Sequence, residues 1–398
     1  MTRNMSHAAA AAYVPPTGAT WADPWSMYAA LREHDPVHHV ARGDYWVLTR
    51  HDDVYAAVRD HETFSSGHGL TTAYDELERI GLADNPPMVM TDPPVHTEFR
   101  KLVNRGFTPK QVEEVTPRVT RFVVERVERI RAAGGGDIVE ELFKPLPSMV
   151  VAHYLGVPEA DWGRFDGWTD AIVTANAAQD EAIGADAAAE LMGYFAELID
   201  KRRREPGDDT VSHLVAAGGA DDDAGLLRVL AFAFTMVAGG NDTTTGLLGG
   251  GLPLLADRPD QRELALDDVP AAVEELLRLT SPVQGLARTT TRDVTLHDAT
   301  IPAGKKVLLC YAAANRDPRV FGPDAEELDV TRNPRQILTF AHGAHHCLGA
   351  AAARMMGRVT ITEILTRMPS FTVDHDSLEW APGSYVRRPV RLHVEVTA

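Results

Sequence analysis

Residues 340–349 read Phe-Ala-His-Gly-Ala-His-His-Cys-Leu-Gly and contain Cys347, one of two cysteines in a chain of 398 residues. Gly343 and Gly349 flank this cysteine, and the residues that follow have the pattern of a helix. We therefore predict that Cys347 lies in a tight loop at a helix N-terminus, where backbone N–H groups and the helix dipole favour a thiolate. Such a cysteine is a nucleophile, a metal ligand or an inert residue of the core.

The same loop is dense in side chains that bind zinc, namely His342, His345, His346 and Cys347. They crowd into one short segment, whereas a structural zinc site usually draws a second ligand pair from elsewhere in the chain. A zinc site is therefore kept only as an alternative.

Composition argues against several classes of protein. The formal charge of −18 disfavours general nucleic-acid binding, because such proteins need a cationic surface. No apolar run reaches the roughly 18–20 residues of a membrane span, and residues 1–20 lack the apolar segment of a signal peptide, so we expect a loose N-terminal tail there. Two cysteines cannot form a disulfide framework, which favours a cytoplasmic protein.

A second informative stretch lies in the long apolar helix predicted over Leu226–Leu255. Its middle, Ala238-Gly-Gly-Asn-Asp-Thr-Thr-Thr245, is a poor helix sequence, because glycines and hydroxyls that bond one turn back weaken the helix. Asp242 would lie among apolar residues, which is costly unless the carboxylate has a partner or a function. The stretch is either a local kink in a core helix or a groove where a ligand approaches the backbone.

Two pairs of charged residues have helical spacing. His96 and Arg100 lie four positions apart, and Glu275 and Arg278 lie three apart, so each pair shares one face of a helix. On pattern alone, both pairs are also consistent with an ordinary solvated helix surface.

Taken together, the loop, the glycine-rich helix and the two pairs resemble the motifs of the cytochrome P-450 family of haem-thiolate monooxygenases, in the order that family requires. The loop matches at Phe340, Gly343, His345, Cys347 and Gly349. The resemblance covers the chain after the tail and is nearest to soluble bacterial members of the actinobacterial and mycobacterial type. It implies a mainly α fold with a small β portion, in which a long central helix lies over a haem and the cysteine loop lies on the proximal side.

That fold implies a single haem-thiolate monooxygenase domain over residues 21–398. Short strand patterns predict that its β-rich part comes mainly from residues 40–50, 290–311 and 371–396. We find no internal repeat and no low-complexity linker, so the several domains that length alone would suggest lose support.

The resemblance also assigns roles to the motif residues. Cys347 is implied to be the axial ligand of a non-covalent b-type haem iron, while Thr243 hydrogen-bonds during oxygen activation and Asp242 relays protons. The residues implied to contact the haem propionates and the haem pocket are His96, Arg100, Arg288, His345, Phe340, Gly343 and Gly349. A buried structural network that holds the cysteine loop in register is implied for Glu275, Arg278 and Arg332.

The implied reaction activates O2 and inserts one oxygen atom into a hydrophobic organic substrate, by hydroxylation or oxidative dealkylation. Haem b is the implied cofactor, and NAD(P)H contributes only indirectly, because the chain has no flavin or iron–sulfur motif. Electrons would come from a ferredoxin or flavodoxin with its reductase, docked near Arg354, Arg105 and Lys101. Azole inhibitors are expected to bind. A haem-thiolate ligand-binding protein, or a peroxygenase or dehydratase on the same fold, is the alternative, against which the Asp242–Thr243 pair argues.

The substrate pocket implied by this fold is mostly apolar, which does not identify one substrate. Its expected lining is Met88, Val89, Gly239, Gly240, Val283, Gln284 and Leu286, with Gln284 as an orienting group, together with Leu70–Thr72 and Tyr385–Val386. Two positions depart from the family pattern, since Ala341 stands where glycine is usual and Ala352 where leucine is usual. We expect both changes to affect packing and redox tuning beside the haem and to leave ligation intact.

Overall fold

The computed structural model describes residues 13–79, 81–178 and 181–397. Its helices are α1 Trp25–His34, α2 His51–Ala57, α3 Glu76–Arg79, α4 Val95–Val103, α5 Pro109–Ala133, α6 Pro145–Leu155, α7 Trp162–Ala178, α8 Glu181–Arg204, α9 Thr210–Ala216, α10 Asp223–Ala256, α11 Pro259–Leu264, α12 Val269–Thr280, α13 Tyr311–Ala314, α14 Pro318–Phe321 and α15 Ala350–Arg367. Its strands are β1 Val37–Val40, β2 Tyr45–Leu48, β3 Phe64–Ser65, β4 Gly135–Asp137, β5 Leu286–Thr290, β6 Val294–Leu296, β7 Ala299–Ile301, β8 Lys306–Leu309, β9 Phe371–Trp380 and β10 Pro389–Val396. The predicted class, mainly α with a small β portion, is confirmed.

The strands form three sheets within the described residues. The largest has the order β1-β2-β8-β5-β3, in which β2 and β8 are parallel and the other neighbours are antiparallel. The second, β4-β10-β9, is antiparallel, and β6 and β7 form a hairpin. The sheets draw on the three predicted segments, but β1 and β5 lie mostly before residues 40 and 290. Strands β3 and β4 lie outside all three segments, because they are too short to produce an alternating sequence pattern.

The longest element, α10, runs through the centre of the helical part. It begins after Asp222, whose side chain accepts a hydrogen bond from the Gly225 N–H at 2.6 Å, and it continues unbroken through the glycine-rich stretch. It packs against α6, α7, α8, α12 and α15. By length and composition α10 could cross a membrane, although the core helix of a soluble protein meets the same criteria. The expectation that no apolar stretch reaches span length is therefore too strong for this helix.

Helix α5 lies against α15 and α6 and helps to hold the helical part together. Pro109 occupies its first turn and Gly134, at φ 77°, ends it. Its buried residues recur at helical spacing and form one apolar stripe, made of Val115, Val119, Val123, Val127 and Ile130. The sequence periodicity alone therefore predicts which face of this helix is buried.

The described part of the predicted loose N-terminal tail, residues 13–20, is mostly exposed but is anchored at its start. Tyr13 is buried, and its ring meets that of Tyr45 edge to face. Trp21, the first residue after the predicted tail, is also buried and donates from Nε1 to the Gly383 carbonyl at 3.0 Å. Two aromatic anchors in an alanine- and proline-rich sequence therefore bind this segment to the body of the protein. Residues 1–12 lie outside the described residues.

Candidate active site

The cysteine loop lies between a short 3₁₀ turn, Gly343–His345, and the start of α15. The Cys347 N–H donates to the Phe340 carbonyl at 2.9 Å, which closes the loop. Gly343 has φ 72°, and a Cβ there would approach the Val58 carbonyl oxygen to 3.0 Å, so glycine fits where other residues would be strained. The predicted tight loop before a helix is confirmed.

The Cys347 side chain is solvent-accessible, yet enough protein surrounds it that burial raises the pKa of its thiol. The Gly349 N–H and the cations of Arg100 and Arg354 act in the opposite direction. Desolvation by the surrounding protein is the larger effect. The backbone and the two arginines thus act as the sequence predicts but do not outweigh burial, and a bound metal cation would stabilise the thiolate further.

A cluster of two imidazoles and two guanidiniums lies around this loop, formed by His96, His345, Arg100 and Arg288. The rings of His96 and His345 have centroids 4.2 Å apart. His96 is 2 % exposed, and neither of its ring nitrogens has a hydrogen-bond partner among the described residues. Burial, followed by the Arg288 cation, lowers the pKa of His345 to about 3. Buried basic groups that repel one another indicate a binding site for an anion.

Backbone and hydroxyl groups hold this cluster in place. Arg100 donates from Nη2 to the His346 carbonyl at 2.7 Å, next to Cys347. Arg288 is buried and donates from Nη1 to its neighbouring carbonyl at 2.8 Å. Nε2 of His345 lies 3.2 Å from Oγ of Ser66. The structure thus brings the four residues implied to bind the propionates together around the cysteine loop.

These residues fit a haem with two carboxylate arms. The unpartnered nitrogens of His96 would gain an acceptor, and the arginine and imidazole groups would gain a counter-charge. The accessible thiol of Cys347 would gain the iron that stabilises a thiolate. A Cβ at Gly349 would meet no atom within 4 Å, and Phe340 is buried beside the loop. The donor set therefore matches the cofactor that the resemblance implies.

Asp242 and Thr243 lie in the middle of α10. Thr243 donates from Oγ1 to the Gly239 carbonyl, one turn back, at 3.0 Å. Asp242 forms an ion pair with Arg388, in which Oδ1 and Nε are 2.6 Å apart. Burial raises the pKa of Asp242 to about 6, although the Arg388 cation acts to lower it. The carboxyl therefore titrates close to neutral pH.

A cavity of about 190 Å³ lies on the Asp242 side of α10. Its charged lining consists of Lys144, Asp166, Asp170, Asp242 and Arg388. Nζ of Lys144 and Oδ1 of Asp170 form an ion pair at 2.8 Å, and burial raises the pKa of Asp166. At about 30 Å³ each, several water molecules fit in this space, and the charged lining offers them partners.

The structure gathers the three residues of the implied structural network. Glu275 and Arg278, both fully buried, form a bidentate pair at 2.7 and 2.8 Å, and Arg332 donates to Glu275 from Nε at 3.2 Å. Arg278 also donates to the Asn315 carbonyl at 2.8 Å. The Asn315 side chain accepts the Leu338 N–H at 2.7 Å, so the network extends to the segment that leads into the cysteine loop. Buried charges persist only when paired in this way.

Predicted pocket segments from distant parts of the chain meet in the structure. The Thr72 N–H donates to the Tyr385 hydroxyl at 3.0 Å, and Val283 pairs with Val386 in an isolated bridge. A Cβ at Gly239 would meet no atom within 4 Å, so α10 has an open face there. The partly buried residues of the predicted pocket include Met88, Val89, Val283 and Leu286.

Two of the predicted pocket residues, Gln284 and Gly240, make structural contacts instead. Gln284 is buried, its amide donates to the Ser281 carbonyl at 2.6 Å, and its oxygen accepts from the Tyr28 hydroxyl at 3.3 Å. It therefore has a structural role and does not orient a substrate. A Cβ at Gly240 would lie 2.7 Å from Cγ2 of Val151, so this glycine allows α10 and α6 to approach each other.

The Ala341 departure acts on the backbone more than on packing. Ala341 lies at φ 50°, in the left-handed region that favours glycine. The sequence predicted an effect on packing and redox tuning, because local φ cannot be derived from a residue type. Ala352 is buried on α15 among the residues of the main core.

The hypothesis of a basic docking surface needs a correction at Arg354. Its Nη2 is 2.9 Å from Oε2 of Glu274, and its guanidinium stacks 4.5 Å from the Phe340 ring centroid. Its charge is therefore compensated within the protein. Lys101 and Arg105 are exposed, and neither forms an ion pair within the described part of the chain.

Sequence reasoning missed Arg388, Lys144, Ser66 and Asp170. In the sequence Arg388 is the second of two adjacent arginines before the last strand, but no spacing along the chain connects it to Asp242.

The zinc alternative lacks a ligand set, since no group of three or more His, Cys, Asp or Glu side chains is gathered in the part of the chain that the structure describes.

The chain is similar to known proteins over its whole length. The family model described as Cytochrome P450 matches residues 265–379. The chain is 66 % identical to Cytochrome P450 130 of Mycobacterium tuberculosis over 409 positions, covering 100 % of each. It is 36 % identical to the Vitamin D(3) 25-hydroxylase of Pseudonocardia autotrophica over 387 positions, covering 95 % of each. A solved structure of CYP109E1 from Bacillus megaterium in complex with testosterone matches with a TM-score of 0.83 and 30 % identity, covering 94 % of this chain and 100 % of that chain.

The fold and the site define a haem-thiolate enzyme. With these relatives, the chain belongs to the cytochrome P450 family, among its bacterial, actinobacterial members. It is a monooxygenase with haem b as its cofactor and O2 as its co-substrate, and it receives electrons from NAD(P)H indirectly through redox partners.

Proposed function

We propose that Cys347 is the axial iron ligand of this monooxygenase and that Asp242 and Thr243 deliver its protons. The propionate contacts would come from His96, Arg100, Arg288 and His345, with Phe340, Gly343 and Gly349 shaping the loop. The observation that carries this proposal is the pair of unpartnered nitrogens on buried His96 beside the accessible thiol. When bound, haem supplies the iron that activates O2, and a thiolate ligand favours O–O cleavage.

Proton delivery follows from the two faces of α10. The Asp242 carboxyl borders the charged cavity that also contains Lys144 and Asp170, so it can exchange protons with water there. Its pKa of about 6 lets it hold and release a proton near neutral pH. The Thr243 hydroxyl is bonded to the Gly239 carbonyl, and its rotation would present the proton towards the pocket.

The structural network has a positioning role in this proposal. Glu275, Arg278 and Arg332 touch neither the cluster nor the thiol directly, yet their contacts through Asn315 reach the segment before Phe340. They would keep the cysteine loop at a fixed distance from α10, which the chemistry requires.

The substrate is proposed to be a hydrophobic organic molecule that undergoes hydroxylation or dealkylation. The aliphatic lining at Met88, Val89, Val283 and Leu286 and the open face at Gly239 support this class. Relatives named for vitamin D(3) hydroxylation and a neighbouring structure that holds testosterone support an extended hydrophobic molecule. A panel of such molecules can be screened by the spin-state change of the haem.

The electron donors are proposed to be a ferredoxin or flavodoxin with its reductase. Exposed Lys101 and Arg105, on and just after the helix that also carries Arg100, offer positive charge beside the cysteine loop in an otherwise acidic protein. We further propose that the protein has no membrane span and is cytoplasmic, with α10 as its core helix, and that azole nitrogens bind the iron.

Reduction of the haem-loaded protein under CO tests the central assignment. We expect the strongly red-shifted Soret band of a thiolate-ligated complex, and its loss in Cys347→Ser. Cys310→Ala is the matched control, because Cys310 is buried in a separate core cluster where burial raises its pKa to about 12. A red-shifted band that survives in Cys347→Ser, or that disappears in Cys310→Ala, would contradict the assignment.

A further inference from the structure

A second cavity, of about 720 Å³, lies at the C-terminal end of α10 and shares no lining residue with the candidate active site. Its walls come from the segment before α1, the end of α12 and β9. They are largely apolar and include Leu254 and the indole rings of Trp25 and Trp380. The charged side chains that line it are Arg316, Arg387 and the exposed Glu379, and the exposed His375 lies there too.

The two arginines differ in their hydrogen-bond partners. Both Nη groups of Arg316 have a partner, since Nη1 donates to Glu326 at 2.8 Å and Nη2 donates to the Leu279 carbonyl at 3.0 Å. Arg387 is 9 % exposed and donates from Nε to the Trp21 carbonyl at 2.7 Å. Its two Nη groups have no hydrogen-bond or ion-pair partner within residues 13–79, 81–178 and 181–397. Arg387 therefore presents a free guanidinium edge to the cavity.

The two indole rings fix the orientation of that edge. The guanidinium carbon of Arg387 lies 3.7 Å from the ring centroid of Trp380 and 5.1 Å from that of Trp25. A stacked guanidinium keeps its N–H groups in its own plane, where a bidentate acceptor can reach them. Burial, followed by the Arg316 cation, lowers the pKa of Arg387 to about 9, so the protein itself compensates this charge poorly.

We propose that this cavity binds an organic carboxylate with an apolar body. The carboxylate accepts two hydrogen bonds from the Nη groups of Arg387, which matches the planar geometry that guanidinium and carboxylate share. The apolar body lies against the rings of Trp25 and Trp380 and the aliphatic side chains of the wall. The site is separate from the reaction at Cys347, so it stands whether or not that assignment holds.

The test uses the haem-loaded protein with 2-naphthoate as the probe and 2-naphthamide as its uncharged counterpart. Isothermal titration would be run on the wild type, on Arg387→Gln and on Arg42→Gln. Arg42 is the matched control, because it is an exposed arginine in the turn between β1 and β2 that does not line the cavity. The Soret band, recorded in the same titration, reports any binding at the haem instead.

We expect 2-naphthoate to bind with an unchanged Soret band, and to lose about tenfold or more in affinity in Arg387→Gln, the cost of a charge-assisted pair. Arg42→Gln should bind like the wild type, and 2-naphthamide should bind at least as weakly as naphthoate binds Arg387→Gln. Equal affinity in Arg387→Gln, equal binding of the amide, binding seen only through the Soret band, or no binding would each overturn the proposal.

A second measurement on the wild-type sequence does not depend on how Arg387→Gln folds. With 5-fluorotryptophan incorporated, the ¹⁹F resonances of Trp25 and Trp380 should shift on adding 2-naphthoate, assigned by their Phe variants. The resonance of Trp162, which donates to the Val157 carbonyl elsewhere in the fold, should stay in place. A shift confined to Trp162, or no shift at Trp25 and Trp380, would place the ligand elsewhere.

Discussion

Oδ1 of Asp242 on α10 lies 2.6 Å from Nε of Arg388, the residue just before β10. This ion pair joins the middle of the longest helix to the C-terminal sheet. The cation lowers the pKa of the carboxyl, but burial acts more strongly and leaves it at about 6. An acid that titrates there can both take up and give up a proton at neutral pH.

The Asp242–Arg388 pair predicts how turnover depends on pH. If the protonated carboxyl is the donor, coupled product formation should fall as the pH rises through about 6. Asp242→Asn should not show this fall in product formation. Arg388→Met removes the cation that lowers the pKa of Asp242, so the fall should occur at higher pH. Steady-state rates at saturating substrate and electron donor measure this, with Arg391→Gln as the charge-matched control. An identical fall with pH in Asp242→Asn would exclude the Asp242 carboxyl as its cause.

The same raised pKa predicts that stability depends on pH. The folded protein binds this proton more tightly than the unfolded chain, in which the pKa of an aspartate is about 4. The contribution of Asp242 to the free energy of unfolding should therefore fall as the pH rises from about 4 to about 6. Urea unfolding of the wild type and Asp242→Asn across this range tests it, and parallel curves would contradict it.

Thr243→Ala should uncouple oxygen consumption from product formation. The hydroxyl now bonded to the Gly239 carbonyl is the proposed last donor in the pocket, so its loss should lower product per O2 consumed several-fold. Thr244→Ala is the control, because that hydroxyl is buried and lies 3.4 Å from the Gly240 carbonyl on the same helix. Undiminished coupling in Thr243→Ala would mean that this hydroxyl is not the last proton donor.

Ala341→Gly should stabilise the protein. The residue lies at φ 50°, where a side chain costs about 1 kcal/mol or more, which exceeds the extra chain entropy that glycine loses on folding. We expect a higher midpoint of urea unfolding for the haem-loaded variant. Ala352→Gly is the control, because it removes a buried methyl from the interior of α15 and should lower the midpoint. A lower midpoint in Ala341→Gly would mean that its methyl contacts outweigh the backbone strain.

Glu275→Gln should destabilise the protein strongly, by about 3–5 kcal/mol, because it leaves two buried guanidiniums without their shared carboxylate. Haem retention should fall with it, since the network reaches the segment before the cysteine loop. Glu274→Gln, next in the chain, removes only the partly exposed pair with Arg354 and should cost about 1 kcal/mol or less. Urea unfolding and haem absorbance measure both effects, and similar losses in the two variants would remove the special role of Glu275.

Charge reversal at Lys101 and Arg105 together should slow electron transfer from the redox partner, with a smaller effect at high salt. Arg292→Glu is the control, because this exposed arginine lies in the turn between β5 and β6. Reduction of the haem followed by stopped flow measures the rate. Unchanged rates in the double variant would mean that the partner docks elsewhere.

The sequence predicted those parts of the site whose residues lie close together along the chain. The tight loop around Cys347, the helical pairs and the stretch at Asp242 and Thr243 all depend on spacing within one or two helical turns. Local geometry is encoded in such spacing, because glycines, helix periodicity and caps act over a few residues. The class of protein followed from their order.

Only the tertiary structure decided what each side chain meets. It paired Asp242 with Arg388, gave Gln284 a structural role, turned Gly240 towards Val151 and left Arg387 with a free edge. Burial and the choice of partner depend on packing between segments far apart in the chain, and no local pattern contains that information. The sequence by itself determined the chemistry that is available, and the fold determined which of those groups are free to perform it.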